Sequence, residues 1–214
     1  MNEKRRTPRK EMSESRKAEL IEATLRLIAR DGVKAATVRS IADEANVTQG
    51  LIRYYFRSKE ELIIAAYEKH MTDLIDVAAQ AAEGEFASAG SRLARFVEAS
   101  VRPPIIAPQV IALWAGFFQM LFHHDAMRES HRKTYNLLRR HIKALIADLF
   151  AEQGRAVDEQ QLRELSIACN AILDGLWIEG GALPEEFAGD ELVRVALHGF
   201  GALLQTDLVA CLAG

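Results

Sequence analysis

Cysteine is nearly absent from this chain: two of 214 residues, Cys169 and Cys211, both among apolar neighbours and not in a CxxC spacing. That excludes a disulfide framework and a cysteine-based zinc centre, and predicts two small buried hydrophobes. Long apolar runs are missing as well. The longest nearly apolar stretch, Ile105 to Phe122, is interrupted by Pro108, Gln109, Gly116 and Gln119. It reads as a core helix, since a membrane span usually needs about 20 apolar residues. The basic start, Lys4-Arg5-Arg6-Thr7-Pro8-Arg9-Lys10, leads into charged residues, so no signal peptide is expected, and the protein is expected to be cytoplasmic with no membrane partner. No segment alternates polar and apolar residues as a half-buried strand does, and no repeat recurs. Catalytic signatures are lacking too: no strained nucleophile turn, no phosphate-cradling glycine loop, no paired carboxylates anchored on strands. His123, His124 and His131 have no clean ligand spacing on one helix face. No enzyme, catalytic residue, cofactor or metal is therefore expected.

What is present is a chain 49% hydrophobic and 27% charged, patterned throughout as helices. The expectation is an all-α protein of about nine helices: a disordered basic arm over 1–12, a small head over 13–60 and a larger helical body over 61–214. Leu20, Ile21, Thr24, Leu27 and Ile28 form one stripe of a first helix, about Ser13 to Arg30, which Gly32 stops. Thr37 can cap a short helix with Val38, Ile41, Ala42 and Ala45 on one face. Asn46-Val47-Thr48 reads as a tight turn, and Thr48 caps a second short helix, Gln49 to Phe56. Ser58 with Glu61 reads as a capping box that opens a long helix to about Ala82. Further helices are predicted near 86–102, 107–123, 125–153, 158–180 and 187–211, with Gly180-Gly181 and Pro184 separating the last two.

Charge is divided unevenly. Residues 1–60 hold fourteen Lys or Arg against nine Asp or Glu, net +5; residues 61–214 hold thirteen against twenty-one, net −8. A basic head suits a polyanion, and an acidic body is kept off the same phosphates.

Projecting Gln49 to Phe56 at the helical period separates two faces. Leu51, Ile52, Tyr55 and Phe56 fall on one, Gln49, Gly50, Arg53 and Tyr54 on the other. The second face offers an amide and a guanidinium, the groups that pair bidentately with adenine and guanine edges, beside a glycine that permits close approach. Helix, short turn and helix is the spacing of a helix-turn-helix, whose second helix enters the major groove. A surface hairpin with ordinary polar residues outward remains the alternative, in which the basic head of a helical interaction protein binds an acidic partner.

The run from Ala35 to Leu62, ending Tyr55-Phe56-Arg57-Ser58-Lys59-Glu60-Glu61-Leu62, resembles the DNA-binding signature of the tetracycline-repressor (TetR) family. The resemblance implies a regulator, in most cases a repressor, that binds double-stranded operator DNA as a homodimer and responds to a small-molecule effector. It implies that Thr37 and Lys59 meet phosphates, that Gln49, Gly50 and Arg53 face bases, and that Tyr54 and Tyr55 contact the backbone or pack the groove-side surface. Arg39 and Thr48 belong to the same DNA-contacting set. The family usually has an aromatic residue where this chain has Arg53, a departure that makes a guanine contact plausible.

In the body, Trp114-Ala115-Gly116-Phe117-Phe118 with His123-His124, Tyr135-Asn136-Leu137, and Leu173 to Leu183 resemble the subgroup of choline-responsive repressors of glycine betaine synthesis. Members differ in effector, so this does not determine the ligand. Trp114, Phe117, Phe118 and Trp177, with Asp174 one turn before Trp177, could hold a choline-like cation by cation–π attraction and charge; an aromatic stripe of this kind is more often core. Apolar stripes on the last two helices (Leu162, Leu165, Cys169, Ile172, Leu176; Leu192, Val195, Leu203, Leu208) predict a four-helix bundle with a second copy.

Overall fold

The computed structural model describes the backbone from Pro8 to Ala213 and side chains from Met12 to Leu212. The described residues form ten α-helices and no strand: α1 Pro8–Asp31, α2 Val38–Glu44, α3 Gln49–Tyr55, α4 Lys59–Gln80, α5 Ala89–Ser100, α6 Pro108–Leu121, α7 Asp125–Glu152, α8 Glu159–Ala182, α9 Glu191–Leu204 and α10 Leu208–Ala213. Of the arm expected over 1–12, residues 1–7 lie outside the described residues. From Pro8 the chain is already helical, five residues ahead of the expected start. Proline is tolerated in a first turn, where its missing N–H has no partner to lose, and Arg9, Lys10, Glu11 and Met12 are good helix formers.

Two further expectations change. Gly180-Gly181 does not stop α8, which continues to Ala182. Both glycines are buried, and a Cβ on Gly181 would lie 2.0 Å from Ile111 Cγ1, one on Gly180 2.6 Å from Leu192 Cδ1. They let neighbouring side chains approach the helix and do not end it. The final helix, expected as one piece over 187–211, is two. Gln205 takes a left-handed conformation at φ 54°, and the chain folds back so closely that a Cβ on Gly201 would meet the Thr206 carbonyl oxygen at 2.6 Å. The Asp207 carboxylate then accepts from Ala210 N at 3.0 Å, capping α10.

The chain divides into two compact units. One joins the described residues through His70 with Ala112–Ser130; the other joins Met71–Ile111 with the chain from His131 onward. The first is built on Leu20, Ala23, Leu27 and Ile28 of α1, Ile41 and Ala42 of α2, Ile52 of α3 and Leu62, Ile63 and Ala66 of α4, all buried. Arg26 and Arg30 of α1 reach Glu44 of α2 at 3.2 and 3.0 Å. In the second unit α5 buries Leu93, Phe96 and Val97, and α9 buries Val193, Leu197, Phe200 and Leu204. No helix among the described residues is long and apolar enough to cross a membrane.

Candidate nucleic-acid interface and effector site

The chain between α2 and α3 turns on Asn46, in left-handed conformation at φ 52°, a geometry that asparagine tolerates better than most residues. The Val47 N–H closes the turn on the Ala42 carbonyl at 2.9 Å. Thr37 caps α2: its hydroxyl accepts from Ser40 N at 3.1 Å, while the Ser40 hydroxyl accepts from Thr37 N at 2.9 Å. Thr48 occupies the cap position of α3, but its side chain makes no capping bond, so its role as a cap is positional only. Ser58 caps α4 by accepting from Glu61 N at 3.1 Å, and the Glu61 carboxylate reaches back to Arg57 N at 2.7 Å, one residue beyond the expected partner.

These caps set the aim of α3. Ile52 and Phe56 are buried and anchor the helix, Leu51 and Tyr55 are half-buried, and Gln49, Gly50, Arg53 and Tyr54 are exposed, Tyr54 to 74%. Arg53 and Gln49 have no hydrogen-bond or ion-pair partner among the described residues, so their donors stay available. Tyr54 and Tyr55 meet edge to face at 4.9 Å between centroids. Arg39 is exposed, within 4.0 Å of Asp43. Lys59 is half-buried and lines a cleft of about 270 Å³ with Lys34, His123 and His124. The outward face of α3 thus carries an amide, a guanidinium and a phenol, with Arg39 on α2 and Lys59 on α4 supplying further cations.

The five residues considered for an effector fall into two groups. In the first unit Phe117 is wholly buried, edge to face on Tyr67 at 5.3 Å, while Trp114 and Phe118 are half-buried and stack at 4.5 Å. Phe118 meets Phe122, which is largely exposed, at 5.8 Å. In the second unit Trp177 is buried and donates its indole N–H to the Ser100 carbonyl oxygen at 2.7 Å. Asp174 is half-buried. Burial raises its carboxyl to about 6, against the opposing pull of the Tyr135 hydroxyl at 3.2 Å, the Arg139 charge and the Asn170 amide at 2.7 Å.

Tyr135, Arg139 and Asn170 are polar partners of Asp174 that the chain's periodicity does not single out. Only the one-turn spacings Asn170–Asp174 and Tyr135–Arg139 hint at them. The Cys169 thiol is buried and pushed up to about 12 by that burial, as a small hydrophobe should be, whereas Cys211 is half-buried. No group of three or more metal-ligating side chains occurs among the described residues.

Comparison with known proteins gives two family matches. Residues 20–66 match the family described as bacterial regulatory proteins of the tetR family, and residues 89–205 match that of BetI-type transcriptional repressors, C-terminal. The HTH-type transcriptional regulator BetI of Burkholderia thailandensis is 30% identical over 190 residues, covering 88% of this chain and 93% of that one. A solved transcriptional regulator from Pseudomonas aeruginosa PAO1 is 30% identical with a TM-score of 0.81, over 92% of this chain and 94% of that one. Another, from Saccharomonospora viridis and solved in complex with choline, shares the fold at TM-score 0.66 and 23% identity, over 87% and 94% of the two chains. Such relatives are transcriptional regulators and not enzymes. A helix-turn-helix with an open recognition face and a BetI-type second half place this chain in the TetR family of DNA-binding transcriptional regulators, with the ligand-binding domain of the BetI-type repressors.

Proposed function

We propose that the protein represses transcription as a homodimer on a palindromic operator and is released by a small organic cation of the choline type. The observation that carries the DNA-reading part is the outward face of α3, where Gln49 and Arg53 keep all their donors beside Gly50 while Ile52 and Phe56 hold the helix down. Arg53 and Gln49 suit guanine and adenine edges. Thr37, Arg39, Thr48, Tyr54, Tyr55 and Lys59 would contact phosphates and sugars, which position the head without reading sequence.

A recognition helix of two turns cannot read a long site alone, so a second copy is required. The last two long helices supply the surface: on α9 Val195 is 46% and Leu203 38% exposed, and on α8 Leu165, Ile172 and Leu176 are only half-buried. Apolar stripes on two adjacent helices would close into a four-helix bundle with their symmetry mates.

For the effector, Trp177 and Asp174 of the second unit supply an aromatic ring and a carboxylate, Trp114, Phe117 and Phe118 are the aromatic candidates of the first, and the choline held by the Saccharomonospora viridis protein favours a quaternary ammonium. The cation must contend with Arg139, which already lies near Asp174. Its binding would favour a conformation that misplaces the two heads, linking the sites through α4.

Selection of bound sequences from random duplex DNA at several salt concentrations, repeated with choline, tests the reading. An enriched palindrome that survives excess competitor DNA and is released by choline is expected. Binding without sequence preference would leave instead a basic head that docks on acidic partners.

A further inference from the structure

The body carries more acid than base, yet one groove on it gathers cations. Between α7 and α8 lies a cavity of about 260 Å³ lined by Asn136, Arg139, Arg140 and Lys143 of α7 and by Glu159, Arg163 and Ser166 of α8. The spacings place Asn136, Arg139 or Arg140, and Lys143 one turn apart along one face of α7, and Glu159, Arg163 and Ser166 likewise on α8. The single carboxylate in the lining, Glu159, is paired with Lys143. That leaves two guanidiniums, Arg140 and Arg163, without a carboxylate partner among the described residues, while the charge of the third, Arg139, also bears on Asp174. Arg139 is held in place: its guanidinium stands over the Tyr135 ring at 5.7 Å. Its Nε is shut off from solvent with no acceptor, an unfavourable state for a charged donor. Ser166 closes the floor, its hydroxyl donated to the Arg163 carbonyl oxygen at 2.8 Å.

Three arginines and a lysine meet one carboxylate in this concave site, Arg140 and Arg163 with their guanidiniums open to solvent, and that excess of positive charge suits an anion from outside the chain. We propose that the groove between α7 and α8 binds a small organic anion carrying carboxylate or phosphate groups, with the half-buried Arg139 as its anchor and Arg140 and Arg163 on the rim. Planar guanidiniums suit either group, because each offers two parallel donors to two oxygens. The cavity volume admits a molecule the size of a di- or tricarboxylate or a short phosphate ester. This ligand differs in charge from the cation proposed above and does not depend on it.

Calorimetric titration of the full chain at several salt concentrations, with citrate, glycerol 3-phosphate, polyglutamate and uncharged glycerol as probes, tests the site. Saturable binding of citrate or glycerol 3-phosphate, weakening as salt rises, is expected, with none for glycerol; which anion binds tells carboxylate from phosphate. Arg139→Gln should weaken it at least tenfold and the exposed Arg163→Gln several-fold. Arg194→Gln, on α9 outside the groove, should leave it unchanged. The proposal is overturned if neither anion saturates, or if all three variants bind as the wild type does. It is equally overturned if only polyglutamate binds, which would make the groove a macromolecular docking surface, or if Arg163→Gln turns a dimer into monomers, which would make it a subunit contact. Operator binding without ligand bears on none of these outcomes, so failure here and failure of the repressor reading can be told apart.

Discussion

Helices α3 and α8 are both amphipathic, and they use their polar residues in opposite ways. On α3 the side chains of Gln49 and Arg53 point outward and bond to nothing in the chain. On α8 one set of polar groups turns inward: Ser166 and Asn170 are buried, Asn170 donates to Asp174, and the Trp177 N–H is taken by a backbone carbonyl 77 residues away. A surface that reads a partner must keep its donors available, whereas a domain that changes state with a ligand must hold its polar groups in a low-dielectric interior, where small changes cost more. The same contrast appears in charge. The head is basic and open, and the body is acidic, with three arginines gathered at one groove.

The most severe way to break this division is to remove the proposed second copy. A charge at Leu203 or Val195, as in Leu203→Glu, should give monomers by analytical ultracentrifugation, and operator affinity should fall by roughly 10²-fold or more, because two linked heads gain that much in effective concentration. Monomers that kept full affinity would remove dimerisation from the mechanism.

Trp177→Ala tests whether α8 is mainly packing. Losing a buried indole and leaving the Ser100 carbonyl without its donor should cost about 3–5 kcal/mol, a melting-temperature fall on the order of 10 °C. DNA binding below that transition should persist, since the heads are untouched, while the response to choline is lost. Calorimetry with Trp177→Phe then separates the two roles. A ring without the N–H should lose the bond to Ser100 but keep an aromatic face for a cation.

On α3 the expected effect is smaller and selective. Arg53→Ala should cost about 1–3 kcal/mol at one base pair in each half-site, read as relaxed preference in a binding-site selection. Lys59→Ala should weaken all sequences alike and reduce the slope of affinity against salt by about one unit. Uniform weakening by Arg53→Ala would place that residue on the backbone and end its base-reading role.

Asp174 gives the interior a signature in pH. Folding raises its carboxyl from 3.8 to about 6 through burial, so between these values the folded chain keeps a proton that the unfolded chain has lost. This contribution therefore declines as pH climbs through that window and is level above it. Asp174→Asn should flatten that part of the melting-temperature profile. An unchanged slope would mean that the carboxylate is better hydrated than its surroundings imply.

The smallest expected change sharpens the head. Thr37→Ala removes the cap of α2 and should cost about 1 kcal/mol by thermal melting, with Thr37→Ser near wild type. If Thr37→Ser restores stability and DNA affinity together, the cap and the phosphate contact share one hydroxyl.

Much of the head was legible in the sequence because its determinants are local. Thr37 with Ser40, Asn46 at the turn and the division of α3 into Ile52 and Phe56 against Gln49, Arg53 and Tyr54 all act within about one helical turn. So did the all-helical class, since amphipathic periodicity recurs along the chain. The expectations that changed concern residues whose role lies elsewhere in the fold. Gly180-Gly181 reads locally as a stop, yet Ile111 and Leu192 press against it and the helix continues. Gln205 carries no breaker signal, and the left-handed turn there follows from α10 folding back against Gly201.

The sequence by itself determined that this chain is a stack of amphipathic helices with a basic helix-turn-helix at one end, because hydrophobic period, caps and turn residues are read over a few positions. Only the tertiary structure decided that Trp177 is tied to Ser100, that Tyr135 reaches Asp174, and that three arginines from α7 and α8 share one groove. Burial and electrostatic environment are set by segments distant in sequence, and a helical period records which residues share a face but not what that face meets.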